Sequence, residues 1–174
     1  MSNLDGLIER IAAGDEAALC SLYHETCSAV YGFALSIVRN RADAEDVMQD
    51  TYLQIMKSAS TYAARGKPLS WVLTVARNLA LMKLRSGKHA AGTLALDDAI
   101  VPGDAPGLDR EDALVLGAAM RALDDDERQI VVLHAISGFK HRETASLLNL
   151  KLSTVLSKYQ RALRKLRRVL EEGE

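Results

Sequence analysis

Apolar positions recur every three to four residues along most of the chain, which is the spacing of one face of an α-helix. Leu4, Leu7, Ile8 and Ile11 mark a short helix from Leu4 to about Ala13. Gly14-Asp15 interrupts it, and Asp15 can cap the next helix. Leu19, Leu22, Tyr23, Val30, Phe33, Ala34 and Ile37 carry that second helix to about Arg39. A third runs from Ala42 to about Ser58, with Val47, Leu53 and Ile55-Met56 expected to pack inward. A loop over 59–67 leads to Pro68, a residue favoured in the first turn of a helix. The fourth helix runs from Pro68 to about Leu84 and ends before Ser86-Gly87.

The pattern resumes near Asp109 with a helix to about Leu123. Asp124 with Glu127 three residues on has the form of a capping box for a helix reaching Ile136 and stopping at Gly138. Two closely spaced helices follow, His141–Leu148 and Ser153–Glu171, with Ser153 as an N-cap. The first offers Ala145, Leu147 and Leu148 to a core. The second offers Val155, Leu156 or Tyr159, Ala162, Leu163, Leu166 and Leu170. No strand-like alternation of useful length interrupts the pattern. The expected fold is therefore all-α. It comprises two small helical domains, 1–87 and 109–174, joined by a flexible linker over 88–108, and the second domain contains a helix-turn-helix.

Composition fits a folded chain: 48% of its 174 residues are hydrophobic and 26% charged. The net charge of -1 conceals strong segregation. Arg65 to Lys88 holds six basic residues and no acid, and Lys151 to Arg168 holds seven and no acid. Between them, Asp97 to Asp112 holds six acids against Arg110, which gives the linker an acidic, Pro- and Gly-containing character. Two basic blocks suggest two surfaces that face a polyanion. The tight turn before the second block places a basic helix where a helix-turn-helix presents its recognition helix to the major groove.

The residues 123–128 (Leu-Asp-Asp-Asp-Glu-Arg), 138–145 (Gly-Phe-Lys-His-Arg-Glu-Thr-Ala), 153–158 (Ser-Thr-Val-Leu-Ser-Lys) and Arg161-Ala162-Leu163 resemble the carboxy-terminal domain of extracytoplasmic-function sigma factors. In that family the domain reads the minus-thirty-five promoter element. The resemblance implies base and phosphate contacts for Ser157, Lys158, Gln160 and Arg161, with Lys165 further along the basic face. The chain departs from the family in having Thr144 where an Ile is usual and Leu156 where a basic residue is common.

The first domain resembles the same family. The run from Asp43 to Tyr52 is similar to the helix that docks on the polymerase clamp, which assigns Asp43, Glu45, Asp46, Gln49 and Asp50 to polymerase binding. Asp46 and Asp50 stand four residues apart and share a helix face, suited to a basic partner. The run from Trp71 to Ala80 is similar to the helix beside the minus-ten element, and the preceding loop to the one that takes up a flipped non-template base. The implied DNA contacts are Tyr62, Arg65, Lys67, Arg77 and Asn78. Trp71, with Val72 and Val75 beside it, is expected in the core rather than as a stacking platform.

Together these features imply a non-enzymatic factor that binds core RNA polymerase and promoter DNA and is held by an anti-sigma factor. The rival is a helix-turn-helix regulator that acts without polymerase. Cys20, His24 and Cys27 share a helix face but lack an indicated fourth ligand, so no metal or other cofactor is expected. No Glu or Asp has a His three residues on, and no phosphate-binding Gly loop or nucleophile motif occurs, so no catalytic residue is assigned. Without a signal peptide or a membrane-spanning run, the chain is expected in the cytoplasm, with no membrane insertion.

Overall fold

A computed structural model describes residues 3–63, 66–87 and 110–172, and within them only helices form regular structure. The first group comprises α1 (Leu4–Ala12), α2 (Glu16–Val38), α3 (Arg41–Ser58), a 3-10 turn (Ala59–Thr61) and α4 (Pro68–Gly87). The second comprises α5 (Arg110–Arg121), α6 (Asp125–Ala135), α7 (His141–Leu148) and α8 (Leu152–Glu172). The linker over 88–108 and Arg65 lie outside the described residues.

Short polar side chains set the helix starts. Asn3 accepts from Gly6 N at 3.0 Å, and Asn40 accepts from Asp43 N at 3.0 Å. Asp15 accepts from the Ala17 and Ala18 amides at 2.9 and 3.2 Å. The Arg10 side chain, 2.6 Å away, is the main reason the Asp15 carboxyl titrates below its usual range.

The central element is α2, which packs on α1, α3, α4 and α6. From Gly32 to Val38 every residue is buried. A helix enclosed all round is a core helix, whereas the apolar spacing predicted only one inward face. Inside this core the Thr26 and Tyr52 hydroxyls share a hydrogen bond of 2.8 Å. Burial pushes the Tyr52 hydroxyl above its usual titration range.

Two adjacent buried charges, Glu127 and Arg128, organise the second group. Asp124 and Glu127 cap α6 reciprocally, at 2.8 and 2.9 Å. Arg128, fully buried, donates through Nε to Met120 O at 3.2 Å and through Nη2 to Leu123 O at 2.7 Å. Those carbonyls lie at and just beyond the end of α5, where the helix leaves acceptors without intrahelical partners. Gly138, at φ +67, turns the chain out of α6 so that Phe139 N reaches Leu133 O at 3.0 Å.

An aromatic cluster joins α6, α7 and α8. The His134 and His141 rings stack at 4.5 Å, and both meet Tyr159, at 4.9 and 4.8 Å. His134 Nδ1 donates to Phe139 O at 2.8 Å. His141 Nδ1 is buried without a partner. Burial, reinforced by His134, lowers the pKa of His141.

Several expectations are corrected. Leu53 and Met56 are about half exposed, at 51% and 49%, because Ala44, Val47, Thr51, Tyr52 and Ile55 form the inward face of α3. The inward stripe of α8 is Val155, Tyr159, Ala162 and Leu166. Leu156, Leu163 and Leu170 each stand one or more positions round from that stripe and are exposed. Ser153 cannot cap α8, since Leu152 is already helical, and α4 continues to Gly87.

Two predictions follow from the packing of the second group. Arg128→Ala leaves two buried carbonyls without donors and should cost ~3 kcal/mol in chemical denaturation. The lowered His141 pKa means that the unfolded chain takes up a proton first as pH falls. Stability should therefore drop below the unfolded value of about 6.5, down through the lower folded one. Melting temperatures followed from about pH 7.5 to about pH 5.5 should show this loss, and His141→Asn should flatten it.

Candidate polymerase and promoter surfaces

The outward face of α3 carries Asp46, Gln49, Asp50 and Leu53, all exposed, at helical spacing. Lys83 of α4 crosses to its N-terminal part, 2.7 Å from Asp46 and 3.3 Å from half-buried Asp43. Chiefly through its hydrogen bond with Asp46, Lys83 is held protonated above its usual range. Glu45 is exposed on a different side of the helix. The predicted acids therefore divide: Asp43 and Asp46 are tethered to α4, while Gln49 and Asp50 face solvent beside the apolar Leu53. From the sequence alone Leu53 reads as core, as an apolar residue in a helix does; the structure leaves it on the outward face.

Between the 3-10 turn and α4 lies an open cavity of about 350 Å3, lined by Thr61, Tyr62, Ala63, Lys67, Ser70, Trp71 and Thr74. The Tyr62 ring leans on Trp71 at 5.0 Å, and its hydroxyl donates to the Asp5 carboxylate of α1. Trp71 is half-buried: it packs on the core and also lines the cavity. Lys67 is exposed at the mouth. Gly66, at φ +66, adopts a turn that other residues rarely take. Asn78 is exposed on α4, whereas Arg77 is half-buried with Nε enclosed and unpartnered. Ser70 and Thr74 were not singled out, although the four-residue spacing Ser70, Thr74, Asn78 places all three on one helix face.

Helix α8 presents an outward face of Ser153, Leu156, Ser157, Gln160, Arg161, Arg164, Arg167 and Arg168, all exposed. Lys158 and Lys165 leave this face for its flank. Lys158 Nζ lies 3.3 Å from Asp124 and 3.2 Å from Asp126. Lys165 Nζ lies 2.6 Å from Glu127, whose side chain is fully buried. Arg161 keeps about half its side chain in solvent, at 52%, with Nε 3.9 Å from Glu127. Burial raises the pKa of Asp124, but the Glu127 amide and the Lys158 ammonium outweigh it and hold that carboxyl below its usual range. Burial likewise opposes the charge on Lys158, and Asp126 and Asp124 more than restore it. Of the sequence-predicted residues, the structure groups Ser157, Gln160 and Arg161 outward and engages Lys158 and Lys165 with α6. Arg164, three positions beyond Arg161, joins the outward group.

Cys20 and His24 are exposed and Cys27 is half-buried on α2. Among the described residues there is no cluster of three or more metal-ligating side chains, and no helix is long and apolar enough to cross a membrane.

Residues 22–90 match the family described as Sigma-70 region 2, and residues 113–166 match Sigma-70, region 4. The ECF RNA polymerase sigma factor SigK of Mycobacterium ulcerans (strain Agy99) is 30% identical over 178 residues, spanning 97% of this chain and 94% of its own. Its namesake in Mycobacterium tuberculosis (strain ATCC 25618 / H37Rv) is 31% identical over 180 residues, spanning 98% and 95%. Among solved structures, the fold matches the sigma factor RpoE in complex with the anti-sigma factor NepR from Bartonella quintana, with a TM-score of 0.72 and 23% identity over 87% of this chain and 97% of that one. It also matches CnrH in complex with the cytosolic domain of CnrY, with a TM-score of 0.72 and 22% identity over 98% of each chain. On these matches in both halves, in order and over nearly its whole length, the chain belongs to the extracytoplasmic-function sigma factors of RNA polymerase.

Proposed function

We propose that the two helix groups divide promoter recognition between them while α3 anchors the factor to core polymerase. The outward face of α8 supports this best: from Ser153 to Arg168 it carries four arginines and no acid, although the flank beside it is rich in carboxylates. Solvent-exposed cations can neutralise phosphates and so release the counterions condensed on DNA. Reading of the minus-thirty-five element is therefore assigned to Ser157, Gln160 and Arg161, with Arg164 on the backbone. Lys158 and Lys165 hold the helix in register.

The cavity before α4 suits a single unstacked base. Trp71 and Tyr62 supply aromatic surface, Ser70 and Thr74 supply hydroxyls, and Lys67 supplies a cation for the phosphate. Arg65, outside the described residues, is assigned to the same contact by its nearness to Lys67 in the sequence. Asn78 continues the surface along α4, and Arg77 acts from beneath it. On α3, Gln49 and Asp50 with Leu53 form a mixed polar and apolar face for a basic partner surface on the polymerase clamp. The protein acts in the cytoplasm, as a factor without enzymatic activity of its own.

The two solved relatives are complexes with NepR and with the cytosolic domain of CnrY. An anti-sigma factor is accordingly the expected inhibitor of this chain, covering the polymerase- and promoter-facing surfaces.

Run-off transcription with core polymerase tests the reading. Wild-type protein should initiate only when core enzyme is present, and tight binding to a palindromic site without polymerase would instead identify a free-standing regulator. Arg161→Ala should weaken promoter use by about 1–3 kcal/mol and relax discrimination at one upstream position. Lys165→Ala should lower the melting temperature more than it alters that discrimination, because it strips a buried carboxylate of its partner. Asp50→Arg should abolish co-elution with core polymerase in gel filtration at low salt while leaving the fold intact.

A further inference from the structure

Three cations on one flank of α8 face three carboxylates at the start of α6. Lys158, Arg161 and Lys165 stand at successive turns, opposite Asp124, Asp126 and Glu127. The two lysines close on their partners. Lys158 Nζ lies 3.2 Å from Asp126 and 3.3 Å from Asp124, and Lys165 Nζ lies 2.6 Å from Glu127 Oε2. Arg161, between them, stops short: its Nε is 3.9 Å from Glu127 Oε1, and 52% of its side chain stays in solvent. Glu127 Oε2 also accepts from the Asp124 amide at 2.9 Å, whereas Oε1 is buried without a hydrogen-bond partner. A buried carboxylate oxygen that lacks a donor is rare and costly. The cation beside it is one that the outward face of α8 turns toward DNA.

We propose that Glu127 is a positioning residue for promoter reading: its free oxygen holds Arg161 by Nε and aims the two terminal amino groups of the guanidinium at one base edge. The inference rests on the assignment of Arg161 to the minus-thirty-five element above, and it names what makes that arginine selective. A guanidinium carries five N–H donors in a rigid plane. With Nε–H turned to a carboxylate, the terminal amino groups remain as a fork that pairs with two neighbouring acceptors on a base.

An arginine without an internal partner surrenders rotamer freedom on binding and can settle on any phosphate within reach. One held from behind keeps a single direction and has less freedom to lose. The lysines on either side fix the rotation and register of α8, which sets the distance between Arg161 and Glu127. Docking on DNA excludes water from the gap. The contact then closes to a charge-assisted hydrogen bond of ~2.8 Å, stronger for being out of water.

Glu127→Gln keeps the size of the side chain and an oxygen for the cap, but removes the charge. Run-off transcription with core polymerase, from a promoter and from its single-base variants across the upstream element, gives a discrimination profile. Arg161→Ala identifies the position that Arg161 reads. At that position Glu127→Gln should lower discrimination several-fold, and the loss should vanish in the Arg161→Ala background. A Glu127 that serves only the fold would weaken every promoter alike, and that result would overturn the proposal, as would additive losses in the double variant. Because Glu127 also caps α6 and holds Lys165, the glutamine variant could fail to fold, and a measurement on the wild-type chain then decides. The Arg161 Nε–H resonance, assigned by its disappearance in Arg161→Lys, should exchange with water several-fold more slowly than that of a free arginine side chain. An equal rate would mean that no acceptor holds Nε, and the proposal would fall. If Arg161→Ala altered no position of the profile, the assignment of the α8 face would fail instead, and the exchange rate would still report whether Glu127 holds Arg161.

Discussion

The buried Glu127 carboxylate is the point on which the second helix group turns. It caps α6 through the Asp124 amide and anchors α8 through Lys165, with Arg161 nearby. A carboxylate removed from water is costly unless its oxygens find donors or cations. That cost makes the placement of α8 specific, because sliding or rotating the helix would withdraw Lys165 and leave the charge exposed to an apolar interior. Arg128, the next residue, works on the opposite side by closing the end of α5. Two consecutive residues thus fix three helices, and the outward face of α8 follows from where its inward cations are held.

This arrangement explains why the site was only partly legible in the sequence. Helix existence and most boundaries followed from apolar spacing and caps: Asp15 and the Asp124–Glu127 box are both local devices. The basic stretch over 151–168 reads locally as one cationic surface, since no acid lies within it. Its carboxylate partners stand 32 to 38 residues earlier, at the start of α6. No local pattern joins Lys158 to Asp124 or Lys165 to Glu127, so a periodicity argument assigns those lysines to DNA along with Arg161. Only packing separates the flank from the face.

The leucines show the same limit. Leu156, Leu163 and Leu170 repeat every seven residues, as do Val155, Ala162 and Val169, and both rows fit an apolar stripe on a helical wheel. The choice between them depends on the helices beneath, and the observed core takes Val155 and Ala162. On α3, Leu53 is exposed because it continues the row of Asp46, Gln49 and Asp50, whereas Thr51 and Tyr52 turn inward. Buried hydroxyls are compatible with this core because they find partners: Thr26 with Tyr52, and Thr51 with the Val47 carbonyl. Polarity of type therefore misled at the positions where hydrogen bonding inside the core supplied an alternative to water.

The enclosure of α2 joins the two helix groups in one core. A helix that stayed permanently in contact with water along one side would be expected to carry polar residues there, yet Gly32, Phe33, Ala34, Leu35, Ile37 and Val38 surround the axis. Part of that surface faces α3 and α4, which satisfies the core of the first group, and the remainder faces α6. Parting the groups would expose this remainder to water, so the contact holds the joined arrangement together.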